Sequence, residues 1–241
     1  ILGPLQDNGG PTLTMAPLPG SPAIDQGNSS GILTDQRGRP RPYTNDYVGS
    51  PAFGGDRSDI GAVELSPIIL VVSNTNDSGT GSLRQTIASA SPVDGDTINF
   101  DSNVVGTIAL TTGELVIGKP LIIQGPTTAS ITVSGNNVSR VFRVTTNSTV
   151  NLSSLTISNG NTAAPGAGIY NDFGCVLTLS NCAVVANSSG NNGGGIANNG
   201  NFAAYNCTFS GNQAALNFKE LDGQHANISE SGQCTGRILF G

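Results

Sequence analysis

The sequence predicts an all-β fold wound as a solenoid, a parallel β-helix, and three observations carry that prediction. The first is self-similarity: SSLTISNGNTAAPGAGIYN, SNCAVVANSSGNNGGGIANNG and AYNCTFSGN align so that Leu155, Cys182 and Cys207 share one column and Ile157, Val184 and Phe209 another. The steps are 27 and then 25 residues, a period that marks stacked units, none of which can bury its own apolar face alone. The second is alternation. Val150, Leu152, Leu155 and Ile157, then Leu177, Leu179, Cys182 and Val184, then Phe202, Ala204, Cys207 and Phe209 place apolar residues at every second position, with one skip that marks a bend. The third is composition: 11% charged residues, no Trp and an abundance of Gly, Asn, Ser and Thr suit turns and polar ladders more than helices.

Residues 1–66 hold most of the chain's 13 prolines and read as a loop-rich strap, not as coils. Asp25, Asp35, Arg37, Arg39, Arg41, Asp56, Arg57 and Asp59 fall in it, and the pattern is expected to be Asp/Arg bridges that hold loops. Residues 67–96 read as a strand and a capping helix: in DSGTGSLRQTIASA, Ser82 and Gln85 form a capping box, and Leu83, Ile87 and Ala90 share a helical face. Such a helix would lid the open end of a stack, which otherwise exposes apolar interior and unpaired strand edges. Residues 97–214 are the coils, with Leu115, Ile117, Leu121 and Ile123 repeating the apolar pattern upstream of the aligned units. Asn181 aligns with Asn206, Asn187 with Asn212 and Asn171 with Asn198, so amide ladders are expected along the stack. Residues 215–241 form a tail that matches no unit.

At 241 residues and 37% hydrophobic content the chain can support a core, and its net charge of −6 argues against nucleic acid or an anionic membrane as partner. The longest apolar run, Ile68 to Val72, is too short to span a bilayer. Cys175, Cys182, Cys207 and Cys234 match no metal spacing and read as core residues first, with a Cys182–Cys207 disulfide second.

The motifs NTNDSGTGSLRQTI, GDTINF, GELVIGKPLIIQG, GAGIYN and NCTFSGN over residues 68–214 resemble bacterial secreted β-helix proteins of the polymorphic outer-membrane-protein-like, CSLREA-associated class. NGGPTLTMAPLPGSPAIDQG, TDQRGRPRP and DIGAVE over residues 2–64 resemble the choice-of-anchor segment that ends such β-helices. The resemblance implies a right-handed coil, export, and a secreted or cell-surface location. In that class the strap follows the coils, whereas here it precedes them, so both ends read as cut from the middle of a solenoid.

From Val144 to Phe218 the one charged residue is Asp172, which argues against acid/base catalysis on the coil faces, since hydrolases and lyases need clustered ionisable groups. No catalytic, cofactor or metal residue is expected: Asp94, Asp96 and Asp101 offer oxygen ligands for Ca²⁺ but lack a binding-loop spacing, and His225 has no partner acid. The expected function is therefore non-enzymatic, an extracellular structural β-helix. The inverted order predicts that it joins copies of itself head to tail into filaments, with Ile1, Leu2 and Leu5 completing a neighbour's stack by strand addition. The alternative is an adhesin that binds glycans or other cell-surface components, with Tyr170 and Tyr205 as stacking residues. A polysaccharide lyase is the weakest reading.

Overall fold

Period-two alternation becomes the rungs of a parallel β-helix. The computed structural model describes residues 2–18, 20–43, 53–127 and 130–215, together with the strands Asn227–Ile228 and Gly232–Phe240. The chain divides into two units, residues 1–68 with 91–95, and residues 69–90 with 96–241.

The second unit is about five stacked coils. Its first column of parallel strands runs Ile69–Val72, Thr97–Phe100, Leu121–Gln124, Thr149–Ser153, Val176–Ser180 and the first half of Asn201–Ser210. A second column, Gly106–Ala109, Ile131–Ser134, Leu155–Ser158, Ala183–Val185 and the second half of Asn201–Ser210, continues the same sheet around a bend. Leu115–Ile117, Phe142–Val144, Ile169–Asn171 and Ile196–Asn198 form the third column, and three two-residue strands a short fourth. The registers reproduce the aligned columns: Ile157 pairs with Val184 and Val184 with Phe209. Leu155, Cys182 and Cys207 lie inward and buried in one continuous apolar cluster.

The coil pattern predicted a start near Thr97, but the first rung is Ile69–Val72, which pairs in parallel with Thr97–Phe100. Val72 is fully buried and belongs to the core, so the helix Leu83–Ser89 is an excursion between two rungs instead of a preface to them. Ser82 caps that helix, its side chain accepting from the Gln85 N–H at 3.2 Å, and Leu83, Thr86 and Ile87 are buried beneath it. At its far end the Lys119 ammonium donates to the carbonyls of Ala88 and Ala90 at 3.2 and 2.7 Å, satisfying acceptors a helix terminus leaves open.

The bend between first and second columns is made by single residues in the left-handed region: Ser154 at φ 54°, Asn181 at 54° and Asn206 at 52°. Asn tolerates that region better than most residues, and the two in-register asparagines follow from it. Part of the tail joins the fold. Gly232–Phe240 runs antiparallel along Asn201–Ser210, with a register shift between Tyr205 and Cys207, and Asn227–Ile228 runs antiparallel to Ile196–Asn198.

Among the described residues the first unit holds no extended strand, only isolated bridges such as Leu2 with Pro17 and Gln6 with Thr14. Its loops are tied by buried ionic groups, as the strap reading predicted.

Candidate functional site

Arg37 sits at the centre of the ionic cluster in the first unit. Its guanidinium meets Asp35 at 2.8 Å and Asp94 at 2.6 Å, with side chains 4% exposed for the arginine and 0% for both acids. Arg39 reaches Asp94 at 3.4 Å, and Arg41 pairs with Glu64 at 3.0 Å. The carboxylates also collect backbone donors: Asp35 accepts from the N–H groups of Arg37, Arg39 and Glu64, Asp59 from Asp25 and Leu65, and Glu64 from Asp59 and Tyr43. Burial pushes the carboxyls of Asp25, Asp59 and Glu64 up. It pushes Asp35 up as well, but the Glu64 N–H, the Arg37 guanidinium and the Arg39 N–H outweigh it, and that carboxyl ends below its ordinary range. Asp35, Asp59 and Glu64, so thoroughly bound to backbone, act as fasteners for loops, whereas both carboxyl oxygens of buried Asp25 have no hydrogen-bond partner among the described residues.

A second charged group, which the sequence reading did not assemble, lies on the outer face of the third column. Glu114 pairs with Arg140, and Arg143 stands 4.0 Å from Glu114 and 3.6 Å from Asp172. The guanidinium carbons of Arg140 and Arg143 lie 5.2 and 5.8 Å from the centre of the Tyr170 ring, and the Tyr170 hydroxyl accepts from Asn199 at 2.7 Å. The signal was in the register: Arg143 and Tyr170 occupy equivalent positions of successive rungs, with Glu114 and Arg140 just before the strands. Tyr170 is half-buried, with its ring against these two cations. Tyr205, half-buried, takes the place of Ser180 one rung further on. The structure does not bring the two tyrosines onto one column.

Of the residues expected to mediate assembly, Ile1 lies outside the described residues, as does His225. Leu2 and Leu5 are exposed, at 48% and 63%, in a segment whose backbone pairs with residues 14–17 of the same unit. Asp94 is bound by Arg37, Asp101 accepts from Asn103, and Asp96 is buried with a partner of its own. No cluster of three or more His, Cys, Asp or Glu arranged for a metal occurs among the described residues. No helix among them is long and apolar enough to cross a membrane.

Cys182 and Cys207 are buried free thiols on adjacent rungs, the first donating to the carbonyls of Leu152 and Ser180 at 3.4 Å and the second to that of Tyr205 at 3.2 Å. The neighbouring Cys207 thiol, and then burial, push the Cys182 thiol up. On the other side of the sheet bend an open groove of about 540 Å³ crosses successive coils, with Ser154, Thr156, Asn181, Asn206 and Thr208 at its surface. Comparison with family models, with curated proteins and with solved structures gives no match.

Proposed function

We propose that the protein is a non-catalytic structural β-solenoid of the cell exterior, a capped rod that acts as a spacer or scaffold. The observation that carries this reading is the treatment of the stack's ends. The helix Leu83–Ser89 packs its apolar face on the core beside the first rungs, and Gly232–Phe240 occupies the edge of the last long rung. Open ends of a solenoid invite association, and capping them is how a rod stays discrete. Ionic side chains on the coils are used in the same spirit: Glu114, Arg140, Arg143 and Asp172 bind one another and the Tyr170 ring. The external location rests on the resemblance to secreted β-helix proteins.

Head-to-tail polymerisation is the less supported form of this reading, because the strand that would accept a neighbour is already paired along most of its length. Sedimentation velocity and negative-stain microscopy distinguish the two. Discrete particles at all concentrations are expected; filaments that disappear when residues 1–5 are removed would restore the polymer. An assay of polysaccharide breakdown with and without Ca²⁺ tests the non-catalytic part, where any Ca²⁺-dependent depolymerisation would refute it.

A further inference from the structure

The groove along the sheet bend is built by repetition. Ser154, Asn181 and Asn206 stand at the same left-handed position of three successive coils, with φ of 54°, 54° and 52°. Two residues on, Thr156, Ala183 and Thr208 are in register, one per rung. Their backbones are spoken for: the Ser154 N–H donates to Ser180 O at 3.0 Å, the Asn181 N–H to Tyr205 O at 2.9 Å and the Thr208 N–H to Cys182 O at 2.9 Å. Their side chains are not. Among the described residues the hydroxyls of Ser154, Thr156 and Thr208 and the amides of Asn181 and Asn206 make no hydrogen bond, although Asn187 and Asn212, a bend further along the coil, are fully engaged inside.

We propose that this groove binds a neutral oligosaccharide laid across the coils. The chemistry favours that class. Every polar group offered is uncharged, and hydroxyls and amides both donate and accept, which matches the hydroxyls of a sugar. Among the described residues no charged side chain lines the groove, so a phosphate or uronate would lose hydration there without gaining a counter-charge. Leu155, Cys182 and Ala183 contribute apolar atoms to the floor, against which the C–H face of a pyranose packs. The volume lies within the range of small-ligand sites, roughly 300–1,000 Å³. Rungs spaced at about 4.8 Å place one polar side chain each, Ser154, Asn181 and Asn206, at a step close to one pyranose residue, so affinity should rise with chain length. This site is separate from Tyr170, and the proposal stands independently of the structural role above.

The test is isothermal titration of the whole chain with cellohexaose, xylohexaose and maltohexaose, with the trimer of each, and with tri- and hexagalacturonate as charged counterparts. At least one neutral hexaose is expected to bind, more tightly than its trimer and more tightly than any galacturonate. In the double variant Asn181→Gly, Asn206→Gly, affinity should fall about tenfold or more as two amides are lost, with an unchanged melting temperature because Gly adopts the left-handed bend freely. The variant Thr156→Val, Thr208→Val, nearly isosteric and on rungs, gives an independent reading and should weaken binding about fivefold or more. Absence of binding to all three neutral hexaoses at millimolar concentration overturns the proposal. So does stronger binding of galacturonate, or binding that survives both double variants intact.

Discussion

Asn187 ties three coils together with one amide. Its Oδ1 accepts from the Gly160 N–H at 2.8 Å, and its Nδ2 donates to Ile157 O at 3.1 Å and to Asn212 Oδ1 at 3.0 Å, all without access to water. Asn187→Ala leaves at least two of these partners unsatisfied in the interior. Each costs about 1–3 kcal/mol, so a loss of about 2–6 kcal/mol is expected in urea titration, with the unfolding slope unchanged. Asn181 comes from the same repeat and the same residue type, yet Asn181→Gly should leave stability within about 0.5 kcal/mol, since its amide holds nothing internal and Gly suits φ 54°. The alignment of asparagines was legible in the sequence. Which ladder turns inward was not, because that depends on how many residues each bend consumes. Arg37 makes the corresponding point for charge. Arg37→Met removes the nearest cation from two buried acids, and breaking such a group costs about 3–5 kcal/mol, so the first unit should become sensitive to limited proteolysis while the coils remain resistant.

The helix Leu83–Ser89 was legible as an element because its cap and apolar spacing are local, and the structure keeps both. Its fastening was not, because it joins distant parts of the chain: Arg84 donates to Glu114 O and Gly113 O, some thirty residues on, at 2.9 and 2.6 Å, and pairs with Asp77 at 2.7 Å. Asp77 also accepts from the backbone N–H groups and the hydroxyls of Thr111 and Thr112. Burial alone would raise its carboxyl, but the Thr112 hydroxyl, Arg84 and the Thr111 donors outweigh it and hold the carboxyl well below its ordinary range. A depressed folded-state pKa contributes stability that is present above the unfolded value, about 3.9, and is lost as pH falls toward the folded one. The wild-type chain should therefore lose melting temperature between about pH 4 and pH 2 more steeply than Asp77→Asn, which is less stable at neutral pH but lacks this protonation step. Parallel melting curves over that range check it; equal slopes would contradict the assignment. The tail illustrates the opposite limit of local reading. Gly232–Phe240 carries no copy of the repeat because it pairs antiparallel, outside the coil's period, so alignment of units could not find it.

At the scale of the whole molecule, a solenoid is stabilised by contacts between neighbours, and the last rung has only one coil behind it. Asn201–Ser210 is the longest strand among the described coils and serves two columns at once, its first half stacked on Val176–Ser180 and its second on Ala183–Val185. Without a cover it would present ten residues of unpaired backbone beside buried Phe202, Cys207 and Phe209, a long edge of the kind that templates association. Gly232–Phe240 lies on that edge from Phe202 to Phe209, so the tail's contribution is both to stability and to solubility. Truncation after Ala215 should accordingly do two separable things. The coils should retain their parallel β circular dichroism, because every other rung keeps its neighbours, while the sedimentation coefficient rises with concentration as exposed edges pair between copies. If the truncated chain instead sediments as a monomer over a hundredfold range of concentration, the strand is not the device that keeps this rod discrete.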